Sequence, residues 1–132
     1  MINAVRMFNN NLKQVQGQAR QDMINQRYNK IYSHELAHQR AGGHLAGGIV
    51  IEKDANGIPI GGHVSIKMPT FQKSNPDKTI QDANTVIRSA IAPADPSDQD
   101  FKVANQARKI KSQAEDYKRK NPQVGQKLNV SV

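Results

Sequence analysis

The sequence of 132 residues has no cysteine and no tryptophan, and aromatic residues make up only 5% of it. Without cysteine the chain forms no disulfide and offers no thiolate to a metal ion. The hydrophobic fraction is 36%, below the usual value of about 45–50%, so any core must be small. No apolar run reaches the roughly 18 residues of a transmembrane helix, so no membrane span is expected.

The N-terminal residues lack the charged stretch and apolar run that mark a secretory signal. The sequence therefore predicts a cytoplasmic location, and secretion without a cleaved signal stays open. All four histidines lie between residues 34 and 63, a clustering not expected of scattered surface histidines.

Positive charge exceeds negative charge, with 19 Lys and Arg against 11 Asp and Glu and a net charge of +8. Eight of the basic residues and only two acidic residues fall within residues 101–132. A basic helix can bind nucleic acid or an acidic partner. No aromatic or arginine-rich pattern accompanies these lysines, which favours a solvated helix face.

Apolar spacing predicts four helices around one β-hairpin. Steps of three and four predict an amphipathic helix over residues 2–19, whose apolar face comprises Val5, Phe8, Leu12, Val15 and Ala19. A second helix is predicted over about 21–41, ended by two glycines. A β-branched run, a turn at residues 54–57 and a second apolar stretch indicate a hairpin. Capping signals place the last two helices at about 75–91, capped by Asn75, and at 97–120, capped by Ser97 or Asp98. Apolar spacing predicts their inward faces as Ile80, Ala83, Ile87 and Ala90 in the first and Val103, Ala107, Ile110, Ala114 and Tyr117 in the second. The predicted fold class is α+β, a small single domain.

Residues 34–38 read His-Glu-Leu-Ala-His and continue the apolar stripe of the second predicted helix. Histidines at i and i+4 lie on one helix face, where two imidazoles can bind one zinc ion. The intervening Glu35 is then placed to take a proton from a water whose pKa the zinc lowers. The motif therefore predicts a Zn²⁺ site with ligands His34 and His38 and Glu35 as general base.

Catalytic zinc sites usually have a third protein ligand, and two histidines remain. His44 follows His38 by six residues, a metzincin-like spacing, but Ala41 stands where that pattern requires glycine. His63 lies on the second predicted strand, after two glycines at which a bulge could direct it towards the helix. The residues by themselves leave both open.

Three segments together resemble one protein family: HELAHQRAGGHLAG, DANGIPIGGHVSI and IRSAIAPADPSDQDFKVANQA. They resemble the SprA-related family of bacterial metallopeptidases over roughly residues 30–110. The family pattern usually has Glu in the strand where this chain has His63, which implies a gluzincin-like fold. Because imidazole also binds zinc, the resemblance favours His63 over its rival His44 as third ligand.

The same resemblance draws attention to the link before the last helix. Asp95 or Asp100 can accept the distal N–H of a ligand histidine, or the link can simply be a rigid turn that caps the helix. The Pro-x-x-Pro-Ser pattern followed by aspartate favours the capping interpretation.

These observations predict a zinc-dependent metallopeptidase that acts on a peptide or protein, with the HExxH helix packed beside the hairpin. Residues 1–20 would be an N-terminal amphipathic helix prone to fraying, 21–120 the metallopeptidase domain and 121–132 a flexible tail. The alternative is a non-catalytic, metal-stabilised binding module whose basic C-terminal helix contacts nucleic acid or an acidic partner. A formed but inactive site in so short a chain is a third possibility.

Overall fold

A computed structural model describes residues 2–123. Its elements in chain order are the helix α1 (Ile2–Gly42), a single turn of 3-10 helix, the strands β1 (Ala46–Lys53) and β2 (Pro59–Ile66), and the helices α2 (Pro76–Ala90) and α3 (Asp98–Lys120). The α+β class with one two-stranded antiparallel hairpin is confirmed. The predicted tail falls largely on residues 124–132, which lie outside the described residues.

The N-terminal part is one helix where the sequence predicted two, so the described residues contain three α-helices rather than four. The predicted break near residue 20 contains no proline, and its polar residues are compatible with helix. One side-chain hydrogen bond crosses the break, from Gln18 to Asp22 at 2.9 Å, and a second follows directly after it, from Gln21 to Asn25 at 3.0 Å. The apolar residues therefore move to another face of the helix near residue 20 while the backbone stays helical.

Two compact units are distinguished along the described chain. One comprises residues up to 33 together with 51–62, and the other comprises 34–50 together with 63–123. In the first unit the apolar side chains predicted to form an inward face on α1 are exposed: Val5, Phe8, Leu12 and Val15. In the same unit, the Arg20 guanidinium donates to the carbonyl oxygen of Asn56 at 2.8 Å.

The predicted turn between the strands is confirmed. The Asp54 carboxylate accepts hydrogen bonds from the backbone N–H groups of Asn56 and Ile58, at 2.8 and 3.0 Å. Gly57 has a φ of +78°, a left-handed conformation that glycine adopts without steric cost. The Asp-x-Asn-Gly sequence thus sets the reversal of the chain locally.

The second unit has a small core formed mainly where α2 packs against α3. Its buried side chains are Leu45, Ala83, Val86 and Ala107, and half-buried apolar residues pack around them: Ile66, Met68, Ile87 and Val103. Alanine at the contacts lets the two helices approach closely, which suits a sequence with few large apolar residues. The predicted N-cap of α2 at Asn75 is confirmed, and of the two candidates for the cap of α3, Ser97 and Asp98, it is Ser97 that caps the helix.

The end of α1 fits closely against the hairpin and α2. A Cβ atom added at Gly42 would lie 2.8 Å from Ala46 Cβ, 2.9 Å from Ile66 Cδ1 and 3.0 Å from Ser89 Oγ. We expect Gly42→Ala to lower the free energy of unfolding by about 1–3 kcal/mol, because these atoms must move apart. In Gly17→Ala the new Cβ meets nothing within 4 Å, so the variant should be more stable by up to about 1 kcal/mol.

Urea denaturation of the two variants measures both effects. Both variants replace glycine by alanine in α1. A loss of stability in Gly42→Ala together with a gain in Gly17→Ala is therefore due to the close contact at Gly42. A stability gain in Gly42→Ala would show that the contact is not as tight as the structure has it.

Candidate metal centre

The last turns of α1 carry the HExxH residues into the second unit. Glu35 and His38 are only 6% and 7% exposed, and His34 is half-buried. One ligand atom from each of His34, Glu35 and His38 lies within 4.8 Å of the other two, so this group could hold a metal ion. The two imidazole rings meet edge to face, with their centroids 4.9 Å apart.

His38 is held by the C-terminal end of α2. Its Nδ1 donates to the carbonyl oxygen of Ser89 at 2.6 Å, and the Ser89 hydroxyl donates to the carbonyl oxygen of His38 at 2.7 Å. A carbonyl oxygen can only accept, so Nδ1 must carry the proton. In the neutral ring Nε2 then presents a lone pair, which is the state that binds a metal ion.

His34 is held by two aspartates. Its Nδ1 lies 3.2 Å from Asp95 Oδ1, and its Nε2 lies 3.3 Å from Asp100 Oδ2. Asp95 belongs to the link before α3, and Asp100 lies in the first turn of that helix. In the neutral tautomer that carries its proton on Nδ1, His34 donates to the Asp95 carboxylate and presents a lone pair at Nε2. Such an outer hydrogen bond fixes ring orientation in histidine metal sites.

Asp100 has a second set of contacts that positions it. Its Oδ2 accepts from the backbone N–H of Ser97 at 2.9 Å, and its own N–H donates to the Ser97 hydroxyl at 3.1 Å. These two bonds form the capping box of α3. The link therefore caps the helix, as the capping interpretation predicts, and its two aspartates also contact His34. Support of a metal-binding histidine by these contacts stays a prediction.

The pKa of the Glu35 carboxyl is raised above its ordinary value, first of all because burial disfavours the ionised form. The positive charges of His38 and His34 oppose this rise, the charge of Asp100 adds to it, and His63 opposes it more weakly. A carboxyl shifted upward in this way is better matched to accept a proton near neutral pH than an exposed one.

The two predicted candidates for third ligand lie on the surface of the second unit. His63 is exposed on β2, and His44 is exposed in the turn after α1. His63 is close enough for its charge to act on Glu35, whereas His44 lines a cleft with Leu45, Lys67 and Met68. Neither belongs to the group of three that includes Glu35. His63 as third ligand stays a prediction.

Sequence reasoning singled out Asp100 as a possible support but did not foresee that it contacts both histidines. Asp100 Oδ2 lies 3.3 Å from His34 Nε2 and 3.2 Å from His38 Nε2. The Ser-x-x-Asp capping pattern was visible in the sequence, and a cap by itself explains an aspartate at that position, so the pattern gave no signal of the second contact.

Fold and site together define a small α+β protein with a His-Glu-His group able to hold a metal ion at the end of a long helix. A family model for the SprA-related family matches residues 4–126, and the chain belongs to that family. No curated protein and no solved structure matches it. Among residues 2–123, no helix is both long and apolar enough to cross a membrane.

Proposed function

We propose that this chain is a zinc-dependent metallopeptidase in which His34 and His38 bind the metal and Glu35 is the general base. The observation that carries the proposal is the convergence of the two histidines, whose Nε2 atoms lie 3.2 Å apart. Each ring is held through Nδ1, and a buried glutamate lies between the two histidines in the sequence. Nitrogen and oxygen donors in this arrangement suit Zn²⁺.

The two histidine rings offer nitrogen donors that suit a zinc ion. The Ser89 carbonyl and Asp95 occupy the Nδ1 atoms, so both Nε2 lone pairs are available to one cation. A zinc ion held there would polarise a substrate carbonyl and lower the pKa of a nearby water.

The protein's own chemistry centres on Glu35. Its carboxylate would take a proton from the attacking water and deliver it to the departing amine nitrogen of the peptide bond. Burial supports this role because it weakens the preference of the carboxyl for the ionised form. The described residues form a sheet of only two strands, so each strand has an outer edge to which an extended peptide could add.

The alternative, a non-catalytic binding module, gains little from the final helix. Several of its cations are paired with carboxylates: Lys118 with Asp77 at 2.6 Å, Lys111 with Glu115 at 3.8 Å, and Arg119 with Asp116. Pairing lowers the charge available to a nucleic acid. The site therefore favours the peptidase, and nucleic-acid binding is one outcome of its test.

The test is metal-dependent cleavage of a diverse peptide library, read by mass spectrometry. We expect the zinc-loaded chain to cleave a subset of peptides, the chelator-treated chain to fall to background, and zinc to restore cleavage. A zinc-loaded chain that cleaves nothing would overturn the proposal. If that same preparation bound DNA with a steep salt dependence, the binding-module hypothesis would replace it.

A further inference from the structure

Three atoms from two helices form a nearly equilateral triangle in the second unit. The sides are 3.2 Å between His34 Nε2 and His38 Nε2, 3.3 Å between His34 Nε2 and Asp100 Oδ2, and 3.2 Å between His38 Nε2 and Asp100 Oδ2. The side chains of His38 and Asp100 are 9% and 17% exposed. This triangle joins the last turns of α1 to the first turn of α3.

With Asp100 ionised, no protonation state of the two rings satisfies all three sides of the triangle. Both Nδ1 atoms donate outward, to Asp95 and to the Ser89 carbonyl, so in neutral rings all three facing atoms present lone pairs. If His34 is protonated and donates its Nε2–H to Asp100 while His38 stays neutral, the side between His38 Nε2 and Asp100 Oδ2 still joins two acceptors at 3.2 Å. If both rings are protonated, the side between the two Nε2 atoms joins two donors instead. A cation at the centre satisfies all three sides at once.

The size of the triangle matches tetrahedral zinc coordination. With bonds of about 2.0–2.1 Å, two ligands of a tetrahedral zinc ion are separated by about 3.3 Å. Octahedral coordination with bonds of the same length would bring neighbouring ligands to about 2.9 Å. The three observed sides agree with the tetrahedral value, and three protein ligands leave the fourth position for water or substrate, as catalytic sites do.

We propose that Asp100 is the third protein ligand of the metal held by His34 and His38. The backbone N–H of Ser97 holds the Asp100 carboxylate, and Asp95 and the Ser89 carbonyl orient the two rings. This assignment rests on the metal site of the proposed function and not on its catalytic step. It leaves His63 outside the ligand set.

Competition with a chromophoric chelator measures the zinc affinity of the full chain and its variants. We expect Asp100→Ala to lower that affinity at least about 100-fold, since even the loss of an outer-shell partner typically costs 10- to 100-fold. Asp100→Asn keeps the size of the side chain and one oxygen, and it should lose at least about 10-fold. His63→Ala and His44→Ala should bind within about threefold of wild type.

Ser97→Ala is the matched control, because Asp100 also caps α3. This variant removes the hydroxyl of the capping box at a stability cost of about 1 kcal/mol but leaves the Asp100 carboxylate in place. Its zinc affinity should stay near wild type. Co²⁺ substitution adds a readout independent of activity, since the intense visible absorption of a four-coordinate site should appear in the wild type and Ser97→Ala and be lost in Asp100→Ala.

Wild-type affinity in both Asp100 variants would overturn the assignment, as would a chain that binds no divalent metal. A large loss of zinc affinity in His63→Ala or His44→Ala instead would identify that histidine as the third ligand. The proposed function can fail separately. If the chain binds zinc through Asp100 but cleaves no peptide, the ligand assignment stands and the peptidase proposal fails. If the wild-type chain cleaves peptides but Asp100→Ala keeps its zinc affinity, the peptidase proposal stands and the ligand assignment fails.

Discussion

Glu35→Gln is expected to lower the rate of peptide cleavage about 100- to 10,000-fold, the usual contribution of a general base, while zinc affinity stays within a few-fold of wild type. The amide matches the carboxyl in size but cannot accept the proton of the attacking water. Measurement of kcat and KM on one cleaved peptide, together with chelator competition for zinc, separates loss of chemistry from loss of metal.

The same variant should be more stable than wild type when zinc is removed. Burial raises the pKa of Glu35 in the folded chain, so ionisation costs folding free energy above the ordinary carboxyl pKa. At acidic pH, below that ordinary value, the carboxyl is protonated in both states and the cost disappears. Glu35→Gln should therefore show a higher Tm than wild type at pH 7 in the presence of EDTA, and the gain should vanish towards about pH 3.

Glu115→Gln is the matched control, because it makes the same change on the exposed surface of α3. It should leave cleavage unchanged and move stability by no more than about 0.5 kcal/mol. If Glu35→Gln cleaves as fast as wild type, Glu35 is not the base.

Zinc is expected to stabilise the wild-type chain by about 4 kcal/mol when free zinc is a thousand times the dissociation constant, and His38→Ala should lose nearly all of this effect. The reason is that, under the proposed function, zinc would bind the folded chain through Nε2 of His38, which the unfolded chain does not hold in place. The measurement is the change in Tm on adding zinc, compared within each variant.

Comparison within each variant is needed because His38→Ala also disturbs the metal-free fold. It removes the donor to the buried Ser89 carbonyl, and an unpaired buried acceptor costs about 1–3 kcal/mol. His44→Ala is the matched control, since His44 is exposed in the turn after α1. An equal zinc response in His38→Ala and wild type would exclude His38 as a ligand.

Much of the local structure could be predicted from short stretches of sequence. The turn at Asp54–Gly57, the cap of α2 at Asn75 and the cap of α3 at Ser97 each depend on a few neighbouring residues. Such signals are local because the side chain bonds to backbone within its own turn. The split of α1 into two helices was wrong, because a change in the apolar face does not itself end a helix.

The core of the second unit was predicted only in part. Ala83 and Ala107 were expected inside and are buried. Val86 was not in the predicted stripe of α2, yet it is fully buried, whereas Ile80 is only half-buried. Helical spacing gives a face to within about one residue, and the angle at which α3 packs decides which side chains on that face lose contact with water.

The sequence by itself determined the chemistry that this protein can offer. With no cysteine it leaves nitrogen and oxygen ligands for a metal ion, and the His-Glu-x-x-His spacing places two imidazoles on one helix face through backbone geometry alone. Only the tertiary structure decided what surrounds those rings. Ser89, Asp95 and Asp100 follow the motif by 51 to 66 residues, and no local rule links such positions. The packing of α2 and α3 brings them to the histidines.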